Sequence, residues 1–340
     1  MTDPDPSAPR QRRSLRALPK AHLHAHLDGS FPLFAVEALA SRRGVSFHVP
    51  DKFVDVWEFF DAYGTVPTLI DSHEDLAGLC RALVHAEAAE GVVYLEPAIE
   101  PQLYAPRLGT LDQVTVTMLR AFAEASRDAG IEVGALLTIN TDENLAISED
   151  LARLAAAHAG FGVTALGTAG FVEPGNLARY RTSAQIAHAA GLPVVSHAGQ
   201  TGGPDSIEEA LNELGARRIS HGFRAIESVR LVERLATEQI VCDICPVSNA
   251  RLGIVPDVSK HPAPQLLAAG VPITLNADDQ LWFAAGITGQ YEIARRDWGL
   301  ADETITAFAR SGALATGMSA PTRDRLLNGI DAWLAMDGEQ

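Results

Sequence analysis

Residues Pro19-Lys20-Ala21-His22-Leu23-His24-Ala25-His26-Leu27-Asp28-Gly29 set three imidazoles two positions apart inside an apolar run and close on Asp-Gly. Side chains alternate faces along a strand, so His22, His24 and His26 are read as one face of a strand. Packing gives no reason to line one side of a buried strand with imidazole. Neutral imidazole is, however, the commonest transition-metal ligand. The stretch is therefore read as a barrel strand that carries a metal site towards its end.

Working outward, seven further apolar runs stand at 92–99, 132–139, 163–168, 193–196, 218–221, 240–244 and 272–275; with 21–27 they make eight candidate strands. Helical periodicity fills 111–129, 143–157, 177–190, 206–214 and 228–237. Gly91, Gly130, Gly191 and Gly215 each stand just before a strand, where a helix commonly ends on a left-handed residue. Eight such repeats predict an α/β fold, the (β/α)8 TIM barrel. Two segments are additions. Residues 53–90 form a helical insertion after the first strand, rich in aromatics, which either covers the mouth of a site or packs as ordinary helix. Residues 302–334 read as extra C-terminal helices. The Pro- and Arg-rich residues 1–14 are expected to be a disordered arm, and 15–340 one domain.

The 340 residues carry 27 Lys plus Arg against 43 Asp plus Glu, a net charge of −16. A phosphate-backbone binder needs a basic footprint, so no nucleic-acid partner is expected. Hydrophobic residues make up 47% and charged ones 21%, enough apolar content to exclude disorder along the whole chain. No run of 18 apolar residues exists and the N-terminus has no apolar secretory core, so no membrane partner is expected. The three cysteines, Cys80, Cys242 and Cys245, cannot all pair, which suits a reducing cytoplasm. Cys242 and Cys245 stand on a run that reads as a strand, so they are taken as buried thiols and not as half of a zinc or redox motif.

A barrel carries its chemistry at the C-terminal ends of its strands. The fifth strand runs into Ser196-His197-Ala198-Gly199, the sixth into Ser220-His221-Gly222 and the eighth into Asn276-Ala277-Asp278-Asp279. Each alone is an ordinary strand-end polar group; together with the first strand they converge on one rim. Two histidines of the first strand, His197 and a carboxylate of the eighth make a three-nitrogen, one-oxygen set. It suits Zn²⁺ and, less selectively, Fe²⁺, Co²⁺ or Mn²⁺. Such a metal yields hydroxide near neutral pH, which His221 is placed to orient or deprotonate, while Asp279 binds substrate or shares the proton. The reaction class is addition of hydroxide to an sp² carbon with loss of an amine or another leaving group. His48, His73, His85, His158, His188 and His261 lie on helices or loops in this reading and are given surface or structural roles.

The opening stretch resembles that of the adenosine deaminase family of metal-dependent hydrolases. The resemblance continues in order through Ala169-Gly170, His197-Ala198-Gly199, Ile219-Ser220-His221-Gly222, Cys245-Pro246-Val247-Ser248-Asn249 and Leu275-Asn276-Ala277-Asp278-Asp279. It spans roughly residues 18 to 330. It implies a barrel with one catalytic zinc held by His24, His26, His197 and Asp278. His22 falls where the family commonly has Glu, a neighbour of the site and not a ligand. The resemblance makes His221 the residue that assists the attacking water and Asp279 the carboxylate that contacts the purine and handles its proton. It puts Asp28 near the sugar and Gly170 on the base edge of a small-molecule substrate.

Beyond His22, three places depart from that pattern. The family motif His-Ala-Gly-Glu becomes His197-Ala198-Gly199-Gln200, and an amide donates a hydrogen bond but delivers no proton. Gly167-Thr168-Ala169-Gly170-Phe171-Val172 replaces a segment with two carboxylates and brings in an aromatic ring. Gln280 stands where Pro commonly follows the aspartate pair. General acid help is typically worth about 10²–10⁴-fold, so plain adenosine is not the expected substrate. The expectation is a hydrolase of a heterocyclic amine or related compound, with Gln200 and Phe171 among its substrate contacts. An ordinary adenosine or adenine deaminase with a substituted acid, and an inactive ligand-binding homologue, stay open. Without a Gly-rich phosphate loop or a strand-end Lys/Arg cluster, phosphate groups are not expected. An enclosed, partly aromatic pocket suits a flat heterocycle.

Overall fold

A computed structural model describes residues 13–142, 144–173, 175–314 and 317–336. Its frame is β1 (Lys20–His26), β2 (Val92–Ile99), β3 (Ala135–Asn140), β4 (Val163–Ala169), β5 (Val194–Ala198), β6 (Arg218–His221), β7 (Val241–Ile244) and β8 (Ile273–Leu275). They pair in that order and all in parallel, with helices between them, which is a (β/α)8 barrel. The residues are those a barrel strand requires: runs of Val, Ile, Leu and Ala, buried on both sides, between helices that cover the outside.

The ring closes just beyond β8. Ala25 bridges Asp278; the His26 N–H donates to the Asp278 carbonyl at 3.0 Å, and the Asp278 N–H to the His24 carbonyl at 3.1 Å. Below this, the Asn276 side-chain oxygen accepts from the N–H groups of Leu23 at 2.8 Å and His24 at 3.1 Å. The seam between the first and last strands thus runs through Asp278 and its neighbour.

Inside the barrel, Ala98, Leu136, Ala165 and Val195 form a small apolar cluster. Glu96 on β2, Arg218 on β6 and Asp243 on β7 also meet, and strands across the ring from one another touch only through the interior. Arg218 pairs with Glu96 and, through Nε, with Asp243 Oδ2 at 2.7 Å. The Thr274 hydroxyl donates to Asp243 Oδ1 at 2.7 Å, and Asn276 Nδ2 donates to Thr274 Oγ1 at 2.8 Å. This polar chain carries the ion cluster up to the seam.

Several expected boundaries move. The run 132–139 divides into Glu132–Val133 and β3 at Gly134, where a Cβ would meet Thr164 Cγ2 at 2.5 Å and the Tyr94 hydroxyl at 2.7 Å. Leu27 leaves the first strand for a single helical turn, Leu27–Ser30. The helix expected at 111–129 stands as Leu111–Ala129, started by a capping box between Thr110 and Gln113. Those expected at 143–157 and 177–190 begin later, at Ser148 and Arg181, after 3₁₀ turns at Leu145–Ile147 and Ala178–Tyr180. Glu143 lies outside the described residues. The four strand-preceding glycines all have left-handed φ, between 62° and 81°.

The insertion divides by role. Its helix His73–Ala89 packs on the barrel beside Leu111–Ala129, while Val56–Tyr63 lies over the mouth. A further helix, Leu33–Arg42, precedes it and was not read from the sequence. Asp302–Ser311 and Ala320–Ala335 are the terminal helices. Of the expected arm, residues 1–12 lie outside the described residues. Arg13 and Ser14 are instead tied to the last helix: Arg13 donates to the Leu334 carbonyl at 2.7 Å, and Trp333 Nε1 to the Ser14 carbonyl at 2.8 Å. Among the described residues no helix is long and apolar enough to cross a membrane.

Candidate metal centre and substrate cleft

β1 delivers His24 and His26, β5 His197 and β6 His221, and the turn after β8 delivers Asp278 and Asp279. One donor atom from each of His24, His26, His197 and Asp278 lies within 4.8 Å of the others. His24 Nε2 is 3.0 Å from Asp278 Oδ1, His26 Nε2 is 3.4 Å from the same oxygen, and the Nε2 atoms of His26 and His197 are 3.1 Å apart. His221 and Asp278 both have positive φ, 69° and 63°, a conformation that strains a non-glycine residue. The hydrogen bonds of the barrel seam hold Asp278 there.

The donor chemistry fits a metal ion. His24 Nδ1 faces the Asp243 carbonyl at 3.2 Å, and His197 Nδ1 faces the Thr168 carbonyl at 2.5 Å. A carbonyl only accepts, so these rings carry hydrogen on Nδ1 and turn Nε2 lone pairs inward. His24 Nε2 is buried with no hydrogen-bond partner. Burial, then the neighbouring imidazoles, holds His197 well below the usual imidazole range, so it stays neutral. Lone pairs and a carboxylate gathered at 3.0–3.4 Å repel one another unless a cation lies between them. Three imidazole nitrogens and one carboxylate oxygen are a zinc-type set.

His22 does not join them. Its Nδ1 meets Glu87 Oε2 at 2.8 Å, and its Nε2 accepts from the Ala277 N–H at 3.1 Å. Gln280 Nε2 donates to Glu87 Oε1 at 2.7 Å and to the Ser30 carbonyl at 3.1 Å, and the Ser30 hydroxyl donates to the Asp278 carbonyl at 3.1 Å. Two of the unusual residues of the sequence, His22 and Gln280, therefore meet at one carboxylate beneath Asp278.

Over the donor cluster lies a cleft that Gly170, Phe171, Gln200, His221 and Asp279 line. Asp279 is buried, and burial followed by the adjacent Asp278 charge holds its carboxyl well above the ordinary range. Its Oδ1 has no hydrogen-bond partner. Gly29, the last residue of the opening motif, makes room for it: a Cβ there would stand 1.8 Å from Asp279 Oδ1. Asp28 is pushed up to about 7 by burial, and the Tyr63 hydroxyl lies 3.5 Å from its Oδ2. The lid helix contributes Phe59, Phe60 and Tyr63, and the rings of Trp57 and Phe171 approach to 5.3 Å between centroids across the mouth.

Sequence reasoning missed four members of this neighbourhood. Glu100, just past β2, lines the cleft and accepts from Gln102 Nε2 and Asn140 Nδ2, each at 3.3 Å. Its one signal was a carboxylate at a strand end. Asn140 ends β3 and lines the cleft too. Asn249 and His261, the latter given a structural role, form a chain to His221 Nδ1: His261 Nε2 to Asn249 Oδ1 at 3.0 Å, and Asn249 Nδ2 to His221 Nδ1 at 3.3 Å. Cys242 and Cys245 are both buried and unpaired; Cys245 Sγ lies within 4.8 Å of donor atoms of His24 and His221, and burial raises its thiol well above the usual range.

The family model for adenosine deaminase matches residues 19–333. The chain belongs to the adenosine deaminase family. With that family it is a metal-dependent hydrolase of the deaminase class. An adenine deaminase of Chelativorans sp. is 34% identical over 316 residues, 90% of this chain and 96% of the relative. The crystal structure of an adenine deaminase from Arthrobacter aurescens superposes with a TM-score of 0.86 at 28% identity, covering 94% of this chain and 100% of the other. An amidohydrolase from Burkholderia ambifaria, solved with bound Zn, shares the fold with a TM-score of 0.84 at 20% identity, over 94% and 92% of the two chains.

Proposed function

We propose that this member of the adenosine deaminase family removes an amine or related leaving group from a flat heterocycle other than plain adenosine, with one zinc ion held by His24, His26, His197 and Asp278. The observation that carries the reading is the pairing of a complete donor set with Gln200 in the same cleft. A divalent cation in such a set lowers the pKa of water from ~15.7 to about 7, which makes hydroxide available as the nucleophile.

The remaining roles belong to the chain. His221, beside Asp278, meets the attacking oxygen. Asp279, which lines the cleft and has a raised pKa, holds and passes a proton between that oxygen and the substrate. Gly170 and Phe171 border the plane of the ring, and the lid aromatics exclude water from it. Asp28 with Tyr63 meets polar groups at the far end. Gln200 orients a ring atom beside the reacting carbon through its amide and protonates nothing. The substrate therefore carries a better leaving group, or a carbon that adds hydroxide without prior ring protonation.

Charge narrows the class further. Glu100, Asp278 and Asp279 line the cleft, while among the described residues no Lys or Arg does. A phosphomonoester would meet carboxylates there without a cationic partner, which disfavours nucleotides. The net charge of −16 likewise gives no support for a nucleic-acid partner. Three buried, unpaired cysteines support a reducing cytoplasm as the setting.

The test is a screen of the purified, zinc-loaded protein against adenosine, adenine, N6-substituted adenines and related heterocycles. Wild-type turnover of adenosine is expected to be slow, and Gln200→Glu to raise it by about 10²-fold, the scale of one restored general acid. Rapid turnover of adenosine by the wild type removes the ground for the reading.

A further inference from the structure

Three imidazoles near Asp278 differ in what their second nitrogen meets. His24 and His197 turn Nδ1 to backbone carbonyls, at 3.2 and 2.5 Å, so each carries hydrogen on Nδ1 and a lone pair on Nε2. His221 has the opposite arrangement, and a backbone amide dictates it from two side chains away.

The outer end of the chain is Ala263, whose N–H donates to His261 Nδ1 at 3.1 Å. That nitrogen is therefore unprotonated. Burial pushes His261 down to about 3, so the ring is neutral and its single hydrogen sits on Nε2. The Nε2–H donates to Asn249 Oδ1 at 3.0 Å, which orients the amide. Asn249 Nδ2 then faces His221 Nδ1 at 3.3 Å, and an amide nitrogen only donates. His221 Nδ1 is thus the acceptor, and the hydrogen of the neutral ring lies on Nε2. Nε2 stands 3.8 Å from Asp278 Oδ2. Asn249 and His261 are at most 2% exposed, so no bulk water competes for these bonds.

We propose that Asn249 and His261 are positioning residues that lock His221 in its Nε2–H tautomer, so that His221 meets the attacking oxygen as a hydrogen-bond donor, neither as a metal ligand nor as a base. The polarity of the second partner sorts the rings. A carbonyl behind His24 and His197 makes them ligands, and an amide N–H behind His221 keeps it out of the donor set. Removal of a proton from the attacking water then falls to a carboxylate, and Asp279 lines the cleft beside His221. The inference rests on the proposed function only in placing the attacking oxygen beside His221; the tautomer depends on no substrate.

The experiment is two-bond ¹⁵N–¹H correlation spectroscopy of the zinc-loaded protein with ¹⁵N-labelled histidine, His221 being assigned by its loss in His221→Ala. The wild type is expected to show His221 with hydrogen on Nε2. Asn249→Asp replaces the donor by an acceptor and is expected to move the hydrogen to Nδ1. Its kcat on the best substrate of the screen should fall about 10²-fold, with KM within a few-fold and one zinc per chain retained. His261→Gln keeps a donor towards Asn249 Oδ1 and is expected to retain the wild-type tautomer. An Nδ1–H or doubly protonated His221 in the wild type overturns the proposal, and that spectrum needs no variant to fold. An unchanged tautomer in folded Asn249→Asp overturns it equally. A protein that turns over no heterocyclic amine defeats the proposed function and leaves the spectroscopic result standing.

Discussion

Gly29 and Asp279 are 250 positions apart in the chain and compete for one small volume. The motif glycine is required because any side chain there would meet the carboxylate at 1.8 Å. Gly29→Ala is therefore expected to displace Asp279 and to lower kcat by about 10²-fold or more, on the scale of one acid–base group. Zinc content should stay at one per chain, because Asp279 lies outside the donor set. Kinetics paired with metal analysis checks both halves. Residues such as His24, His26, His197 and Asp278 were legible beforehand because they end strands, and the strand period put two of them on one face. Glu100 and His261 were not, and Asn249 stood in a quoted motif without a role. Their place depends on which loop tips meet across the barrel mouth, and a lone polar residue carries no periodic signal of that. His22 was half legible: its strand position was read, while its turn towards Glu87 follows from a helix that packs beside it.

The lid helix Val56–Tyr63 shows the same division for elements. Its aromatic residues left a covering role and ordinary packing equally open, and its start is set by Asp55, whose carboxylate accepts from the N–H groups of Trp57 at 2.9 Å and Glu58 at 3.0 Å. Removing such a cap costs about 1 kcal/mol of helix stability. The helix is short and partly exposed, so that loss is expected to appear locally. Asp55→Ala should raise KM several-fold with kcat nearly unchanged, and should speed hydrogen exchange at 57–60 while global unfolding moves little. Exchange mass spectrometry with steady-state kinetics reads both. Strand positions were legible as Val, Ile and Leu runs. Helix starts were less so, since Leu145–Ile147 and Ala178–Tyr180 form tight 3₁₀ turns that apolar periodicity does not separate from α-helix.

At the scale of the molecule, the count of eight alternating units announced the barrel, and the seam that closes it was invisible in sequence. That seam rests on Asn276, whose side chain accepts two β1 N–H groups and donates to Thr274, at the top of the buried Glu96–Arg218–Asp243 cluster. Asn276→Ala leaves two buried N–H groups unpaired, each costing about 1–3 kcal/mol. Urea unfolding is expected to show a loss of about 3 kcal/mol with an unchanged m-value. Zinc affinity should fall in parallel, because His24 and Asp278 lose their register against each other. A variant as stable as the wild type would show that the strands close by other means.

The seam also bears on when a newborn chain can complete the proposed metal site. His24 and Asn276, which stands just before Asp278, are separated by 252 positions, so the last proposed ligand reaches the first only when synthesis has passed the eighth strand. A nascent polypeptide emerging from the ribosome exposes the three proposed imidazole ligands before the aspartate arrives. A cation held by all four proposed ligands would therefore be enclosed only at the final pairing of the sheet. Chains that stop short of Asp278 would keep three of the proposed ligands beside an open edge.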